Sequence, residues 1–506
     1  MLSIHTRNII ANYGSRLWGF ISIYLFIPLY IHLLGIEAYG VIGFYSVILG
    51  VVSFVDAGIS SAINREMAKS TDYAYKLNVL HKLERIYLSI CFLIGAIIYV
   101  SAPYLANHWL TTEGISTSEM IGYLRLISVG VSLQLMSFIY FGGLMGLQKQ
   151  VRANGIQVVW SVVRAAFAVL GLYFISRSLE FFFSWQIACN LLYLAALRYD
   201  LIKSIKSALG DQIAKPEKLA SDIWKYLGGM LIISVLSAAN IQIDKLVTSK
   251  LFSLENFSYY SLASTLAQVP LLLTTPIAIA IFPVMTKAIS DNDYGTLNQI
   301  YKKYSFLVSV ILMPVSVVLL FYGKDIFQLW LSNRSISNDQ LDKINWVTKF
   351  LVMGNTFLAL QFIPFYLLLS MGRTKFTIIQ SIFQLLFIIP ALYFFIGKYQ
   401  FVGVSIPWLL MNFGGFVFLY FIVFSRFLQM NFVRFLISVI VVPLMVTLII
   451  GGAILAMTYP LPKGVFTILY ALIIGGVSVA LNLFFYNRMN QSERIDIRKM
   501  LKPTTR

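Results

Sequence analysis

The sequence predicts an all-α polytopic membrane protein of about fourteen transmembrane helices, arranged as two six-helix lobes around a central cationic cavity, plus two C-terminal helices. Three observations carry this. Of the 506 residues, 58% are hydrophobic and 12% charged, with mean hydropathy +0.79, more apolar than a soluble domain can be. Apolar runs of about 20 residues, enough to cross about 30 Å of hydrocarbon, recur from end to end. The basic residues track the connections between those runs. In order, the expected cores are 9 to 34, 39 to 63, 86 to 106, 121 to 147, 153 to 175, 179 to 199, 224 to 250, 258 to 286, 304 to 331, 345 to 371, 376 to 396, 401 to 425, 433 to 458 and 465 to 486. They are helices, because each run is continuous where a barrel strand would alternate. The first run is too long for a signal h-region and has no small-residue cleavage site behind it, so it is expected to stay as a span.

The formal charge of +18 does not point to nucleic acid, because most of the 39 Lys and Arg fall in alternate loops. Arg65 to Arg85, Arg198 to Lys225 and Arg488 to Arg506 are the richest segments. By the positive-inside rule both termini are cytoplasmic, in a cytoplasmic membrane, and the loop from Asn107 to Glu119 is periplasmic. The basic tail needs no partner beyond the head groups of membrane lipids. Cys91 and Cys189 fall inside helices and read as packing residues. His5, His32, His81 and His108 lack metal-ligand spacing, and there is no phosphate-cradling Gly-Lys-Ser/Thr loop and no nucleophile elbow, so neither an enzyme nor a metal or other cofactor is expected.

Pro216 interrupts the link between the sixth and seventh runs. The expected division is 1–200 for the N-terminal lobe, 201–222 for a cytoplasmic linker, 223–428 for the C-terminal lobe, 429–487 for two further helices and 488–506 for the tail. A weak parallel repeat supports it. "MGLQKQV" from Met145 matches "MGRTKFT" from Met371, "LGIEAYG" from Leu34 matches "FSLENFS" from Phe252, and "EMAKS" from Glu66 matches "VMTKA" from Val284. Repeats of this kind place a cavity between the halves. The last two runs each contain "LIIGG", whose small residues suit close helix packing or a lipid-facing groove.

Polar residues inside the runs recur at helical spacing. Ser53, Asp56, Ser60 and Asn64 form one stripe on the second helix; Asn8, Asn12 and Arg16 form one on the first; Asn154, Gln157, Ser161 and Arg164 one on the fifth; Ser234, Ser237, Asn240, Asp244 and Thr248, with Lys245 beside them, one on the seventh. For any one of them an interhelical hydrogen bond is an adequate account. As a set they suggest a hydrated interior, since intramembrane ionisable groups usually face inward and serve function. Its candidate cations are Arg16, Arg125, Arg164, Lys245 and Lys349, which outnumber the acids Asp56 and Asp244. Such a cavity suits an anionic head group, with Asp56 or Asp244 pairing with an arginine or titrating with H+ or Na+. Prolines within the spans, Pro270, Pro276, Pro283, Pro314 and Pro364 among them, add kinks.

The stretch holding Asn12, Pro28, the turn from Leu34 to Gly40, Asp56 with Gly58, and Arg65 with Glu66 resembles the start of the Wzx-type polysaccharide, or O-antigen, flippases. "ANIQIDKLVTSKLFSLENFSYYSLAS" from Ala239 resembles their second landmark. The resemblance implies the two-lobed fold of the multidrug/oligosaccharidyl-lipid/polysaccharide exporter superfamily. It implies a cargo of undecaprenyl-pyrophosphate-linked oligosaccharide moved between leaflets of a bacterial inner membrane. It also implies a polysaccharide polymerase and a chain-length regulator as neighbours, and function as a monomer. Fourteen helices, and "SRLWGF" from Ser15, lean toward the lipid II flippases, one alternative, but Ile21 and Ser22 stand where those have Arg-Asp. A cation-coupled drug exporter would want an acidic, apolar cavity. A polysaccharide polymerase or ligase would want a large periplasmic loop, and no long outer loop is present.

Overall fold

The computed structural model describes residues 4–69, 72–209, 221–331, 336–458 and 465–489, and the regular elements among them are all helical. The first predicted span is α1 (Ile4–Leu34). The second is broken into α2 (Ile36–Val52) and α3 (Phe54–Lys69). There follow α4 (Tyr73–Tyr104), which ends in a π-helical turn (Leu105–Trp109), α5 (Thr117–Gly146), α6 (Gln150–Phe174), α7 (Leu179–Leu209) and α8 (Ser221–Leu251). The eighth span is again broken, into α9 (Leu254–Ala267) and α10 (Val269–Ser290). Next come α11 (Tyr294–Leu331), the pair α12 (Asn338–Leu360) and α13 (Phe362–Ser370), α14 (Lys375–Gly403) and α15 (Ile406–Arg426). Last are α16 (Phe432–Leu436), running through a π turn into α17 (Val442–Thr458), and α18 (Val465–Met489). These segments follow the fourteen predicted spans in order. Among the described residues twelve are long and apolar enough to cross a membrane, and the remaining two segments are the broken α2–α3 and α8. Half of the predicted linker (residues 210–220) and nearly all of the basic tail (490–506) lie outside the described residues; residues 201–209 continue α7 and 221–222 begin α8.

Local chemistry sets the boundaries. Gly35, at φ +91°, separates α1 from α2 in a conformation that a Cβ would strain. Ser116 and Glu119 form a reciprocal capping box that starts α5, and Ser337 with Gln340 does the same for α12. The α9–α10 break falls just before Pro270, and the α12–α13 break just before Pro364, where the missing N–H removes a helical bond. Pro314, by contrast, sits within the unbroken α11.

The chain forms two compact units, Met1–Ser258 and Tyr259–Arg506. In the first, α5 is central, packed by α3, α4 and α7, while α1 lies along α6. Glycines on α5 permit the close approach of α3: a Cβ on Gly142 would stand 2.8 Å from the Ser60 carbonyl oxygen, and one on Gly146 2.4 Å from that of Asn64. α8 packs against α2 and α3 and so belongs to this unit by contact. The second unit is built on α11, whose 38 residues pack against α10, α12, α17 and α18. Tyr301, Tyr420, Phe424 and Phe435 form an aromatic cluster there. Of the two C-terminal spans, α17 docks on α11 through Gly451, whose Cβ would meet Val317 at 3.1 Å, and α18 docks with Tyr486 stacked on Phe306, whereas Gly452, Gly475 and Gly476 face open space.

The repeat has a structural counterpart in the broken spans. The matched positions Gly35 and Ser253 immediately precede α2 and α9, and each short helix is followed by a second one after a single-residue break, at Ser53 and at Gln268. The two starts meet: the Ser258 hydroxyl donates to the Ile36 carbonyl at 2.7 Å.

Candidate functional site

Within the first unit the polar stripes of α1 and α6 face each other. The Asn12 amide donates to Gln150 at 2.7 Å and accepts from Asn154 at 2.6 Å. One turn on, the Ser15 hydroxyl donates to Gln157 at 3.1 Å, and the Trp18 indole donates to Ser161 at 2.7 Å. Tyr30 closes the seam on the Ala165 carbonyl at 3.3 Å. Structural hydrogen bonds thus line up over several turns and account for these members of the two stripes. The physical reason is that hydrocarbon offers no competing partner, so matched polar stripes satisfy each other.

Asp56 lies in the first turn of α3, directly after the break at Ser53, where the helix dipole favours a carboxylate. It is half-buried. Its carboxylate accepts from the Ser60 hydroxyl, one turn on, and from the Tyr87 hydroxyl of α4 at 2.9 Å. Tyr87 is fully buried, and its oxygen is also 2.9 Å from the Leu135 carbonyl of α5, so one phenolic proton stands between two acceptors. With Asp56 ionised, Tyr87 donates to it. With Asp56 protonated, the carboxyl can donate to Tyr87 Oη while Tyr87 turns its proton to Leu135. Both protonation states are therefore hydrogen-bonded. Asn64, the last member of this stripe, is exposed.

Arg164, half-buried on α6, lies 4.4 Å over the ring of Trp160, which in turn stacks on Tyr193 of α7 at 4.5 Å. Among the described residues no carboxylate pairs with this guanidinium, which lies against the Trp160 ring. Tyr45 itself donates to Gln134 at 2.6 Å. On α8, Asn240 and Asp244 are buried and Lys245 is half-buried; the Lys245 backbone N–H donates to the Asp244 carboxylate at 2.8 Å.

The structure joins Asn12 to Asn154 and sets Asp56 between Ser60 and Tyr87, with no cation in contact among the described residues. Arg16 is exposed on α1, and no hydrogen bond or ion pair reaches it from the described residues. Arg125 is also exposed and lies 4.9 Å over Tyr99. Lys349 belongs to the second unit, 4.8 Å over Trp346. Tyr87 and the aromatic ring around Arg164 escaped the sequence reading. Trp160, four residues before Arg164 on one helix face, was the available signal; the contact of Tyr87 with Asp56 crosses elements and left none. Among the described residues no group of three His, Cys, Asp or Glu side chains could hold a metal ion.

These features define a class: a helical, multi-pass membrane protein with the fold of the lipid flippases and multidrug exporters. The fold matches the solved structure of the lipid II flippase MurJ in an inward closed conformation, with TM-score 0.69 at 16% identity over 95% of this chain and 99% of that one. It also matches an inward-facing multidrug resistance transporter of the MATE family, of the MOP superfamily, with TM-score 0.64 at 15% identity over 81% and 95%. Residues 32–336 match the family described as polysaccharide biosynthesis protein, and the chain belongs to that family. A Shigella flexneri protein described as a candidate O-antigen transporter is 22% identical over 389 residues, 74% of this chain and 87% of that protein. The resemblance carried by Asn12, Pro28, Asp56 and the Ala239 stretch points to the same group.

Proposed function

We propose that the chain is a flippase. It carries undecaprenyl-pyrophosphate-linked oligosaccharide units from the cytoplasmic to the periplasmic leaflet of a bacterial inner membrane, for surface polysaccharide assembly. The observation that carries this reading is Arg164, a cation inside a helical unit with aromatic neighbours and no carboxylate among the described residues. An arginine so placed has its hydrogen-bonding fork available for phosphate oxygens. Need for a carrier follows from the cargo: each unpaired sugar hydroxyl costs about 4–8 kcal/mol in a hydrocarbon-like medium. The two repeat-related lobes, 1–200 and 223–428, are the bodies that alternate access, with both termini in the cytoplasm. Asp56, held by groups that accommodate either protonation state, is the site at which H+ couples to transport, and moving one charge through 100 mV is worth about 2.3 kcal/mol.

The test is a strain lacking the wild-type copy, followed by the leaflet distribution of its lipid-linked glycans. Loss of the chain should trap the glycan on the cytoplasmic side. Arg164→Gln, at equal membrane levels, should reproduce that defect, and Arg164→Lys should restore only part of the export. Full export by Arg164→Gln would remove Arg164 from cargo binding. Trapped lipid II in place of the longer glycan would transfer the reading to the lipid II flippases.

A further inference from the structure

A second cationic site lies away from the polar interior, at the end of the first unit formed by the start of α4 and the end of α7. There a cavity of about 860 Å³ opens between the two helices, lined by His81, Arg198, Lys203 and Lys206 with Ala195 and Ile202. Arg198 donates its Nε to Glu84 at 2.8 Å, and the Tyr140 hydroxyl donates to the same carboxylate oxygen at 2.6 Å. Glu84 is nearly buried, whereas the Arg198 side chain is half exposed, so its two terminal NH2 groups remain outside that pair. Lys203 lies 5.5 Å over the ring of Tyr199, which steadies the ammonium at the rim. The nearest acid on α7, Asp200, is paired with Arg152 of α6 at 3.3 Å. Among the described residues no carboxylate lines the cavity.

Depth and surroundings select the ligand. Counted from Leu179, about twenty residues of α7 exhaust roughly 30 Å of hydrocarbon near Arg198, which leaves Lys203 and Lys206 at head-group level. Toward the membrane the same helices expose Leu191 and Leu192 on α7 and Phe92 and Leu93 on α4. The cationic cavity is thus followed on the same two helices by exposed apolar side chains, the surface that acyl chains would cover. We propose that this cavity binds the phosphodiester head group of an anionic bilayer phospholipid, with its chains laid along α4 and α7. The inference rests on the membrane reading of the fold and not on the cargo.

The experiment is native mass spectrometry of the purified full chain in detergent, titrated with phosphatidylglycerol, phosphatidylcholine and glycerol 3-phosphate. Phosphatidylglycerol should be retained in preference to phosphatidylcholine. The variant His81→Gln, Lys203→Gln, Lys206→Gln should bind it about tenfold more weakly, while Lys302→Gln with Lys303→Gln, in the second unit, should bind as the wild type does. A lipid-free melting temperature equal to wild type establishes that the triple variant folds. Ala195→Trp, which fills the cavity without touching a charge, should weaken binding as well. Equal retention by wild type, the triple variant and Ala195→Trp would overturn the proposal, and so would equal retention of phosphatidylcholine. Glycerol 3-phosphate binding as tightly as the lipid would reassign the cavity to a soluble anion.

Discussion

At the scale of single residues, the position of Asp56 separates two accounts of the intramembrane charges. Its carboxylate is held by Ser60 and Tyr87, and among the described residues no arginine touches it. An Arg16–Asp56 ion pair would make the double change Arg16→Gln with Asp56→Asn restore what either single change removes, because neither charge would be left unpaired. The observed partners predict the opposite: the double variant exports no better than the worse single variant, at matched membrane levels. If Asp56 takes up the coupling proton, Asp56→Asn should insert normally while its export in proteoliposomes loses dependence on an imposed proton gradient. An undiminished gradient response in Asp56→Asn would exclude the coupling role. Tyr87→Phe removes one hydrogen bond to a charged group, a contribution of about 1.5–3 kcal/mol, and should lower the melting temperature measurably.

At the scale of elements, backbone proximity decides how α3 presents its polar face. Gly142 and Gly146 on α5 lie under the carbonyls of Ser60 and Asn64, so this helix pair is held by its lack of side chains. Gly146→Ala would force the two helices apart, since backbone cannot give way as a flexible side chain can. The expected loss is about 1–3 kcal/mol, read as a lower melting temperature. Gly122→Ala, on the same helix but facing open space, should leave the melting temperature unchanged. Equal behaviour of the two variants would show that the α3–α5 contact is not close-packed. The seam between α1 and α6 makes a related point: Asn154→Leu strands one side of Asn12, so it should cost more than Asn154→Gln, which keeps a donor in reach.

At the scale of the whole molecule, the loop charges give an orientation that labelling can check. Cys91 and Cys189 are both buried, so an added thiol reports with little background. In intact cells, cysteine at Ser118, in the first turn of α5, should react with an impermeant maleimide, and cysteine at Ser290, at the end of α10, should react only after permeabilisation. The reverse pattern would invert the topology and place the basic cavity of α4 and α7 outside. Contact and repeat also divide the molecule differently. The repeat begins its second half with α8, whereas packing against α2 and α3 ties α8 to the first unit. Sequence similarity reports duplication, while packing reports which surfaces exclude lipid.

The sequence by itself determined the helical class, the order and approximate ends of the spans, and the family, because span length, apolar continuity and loop charge are local properties set by the thickness of the bilayer. It also placed Asp56, Arg164, Asn12 and Asn154 on their helix faces, since a period of 3.6 residues fixes a face without reference to neighbours. What each face meets was decided only by the tertiary structure. Asn12 and Asn154 satisfy each other, Asp56 finds Tyr87 from another helix, and Arg164 sits on Trp160, which stacks on Tyr193 of α7. The break at Ser53, with no proline to announce it, likewise follows from packing. In a membrane the apolar surface of one helix is no better a partner than lipid, so polar groups and small residues choose the pairings. Those choices join residues as far apart as Asn12 and Asn154, 142 positions along the chain, beyond the reach of any local pattern.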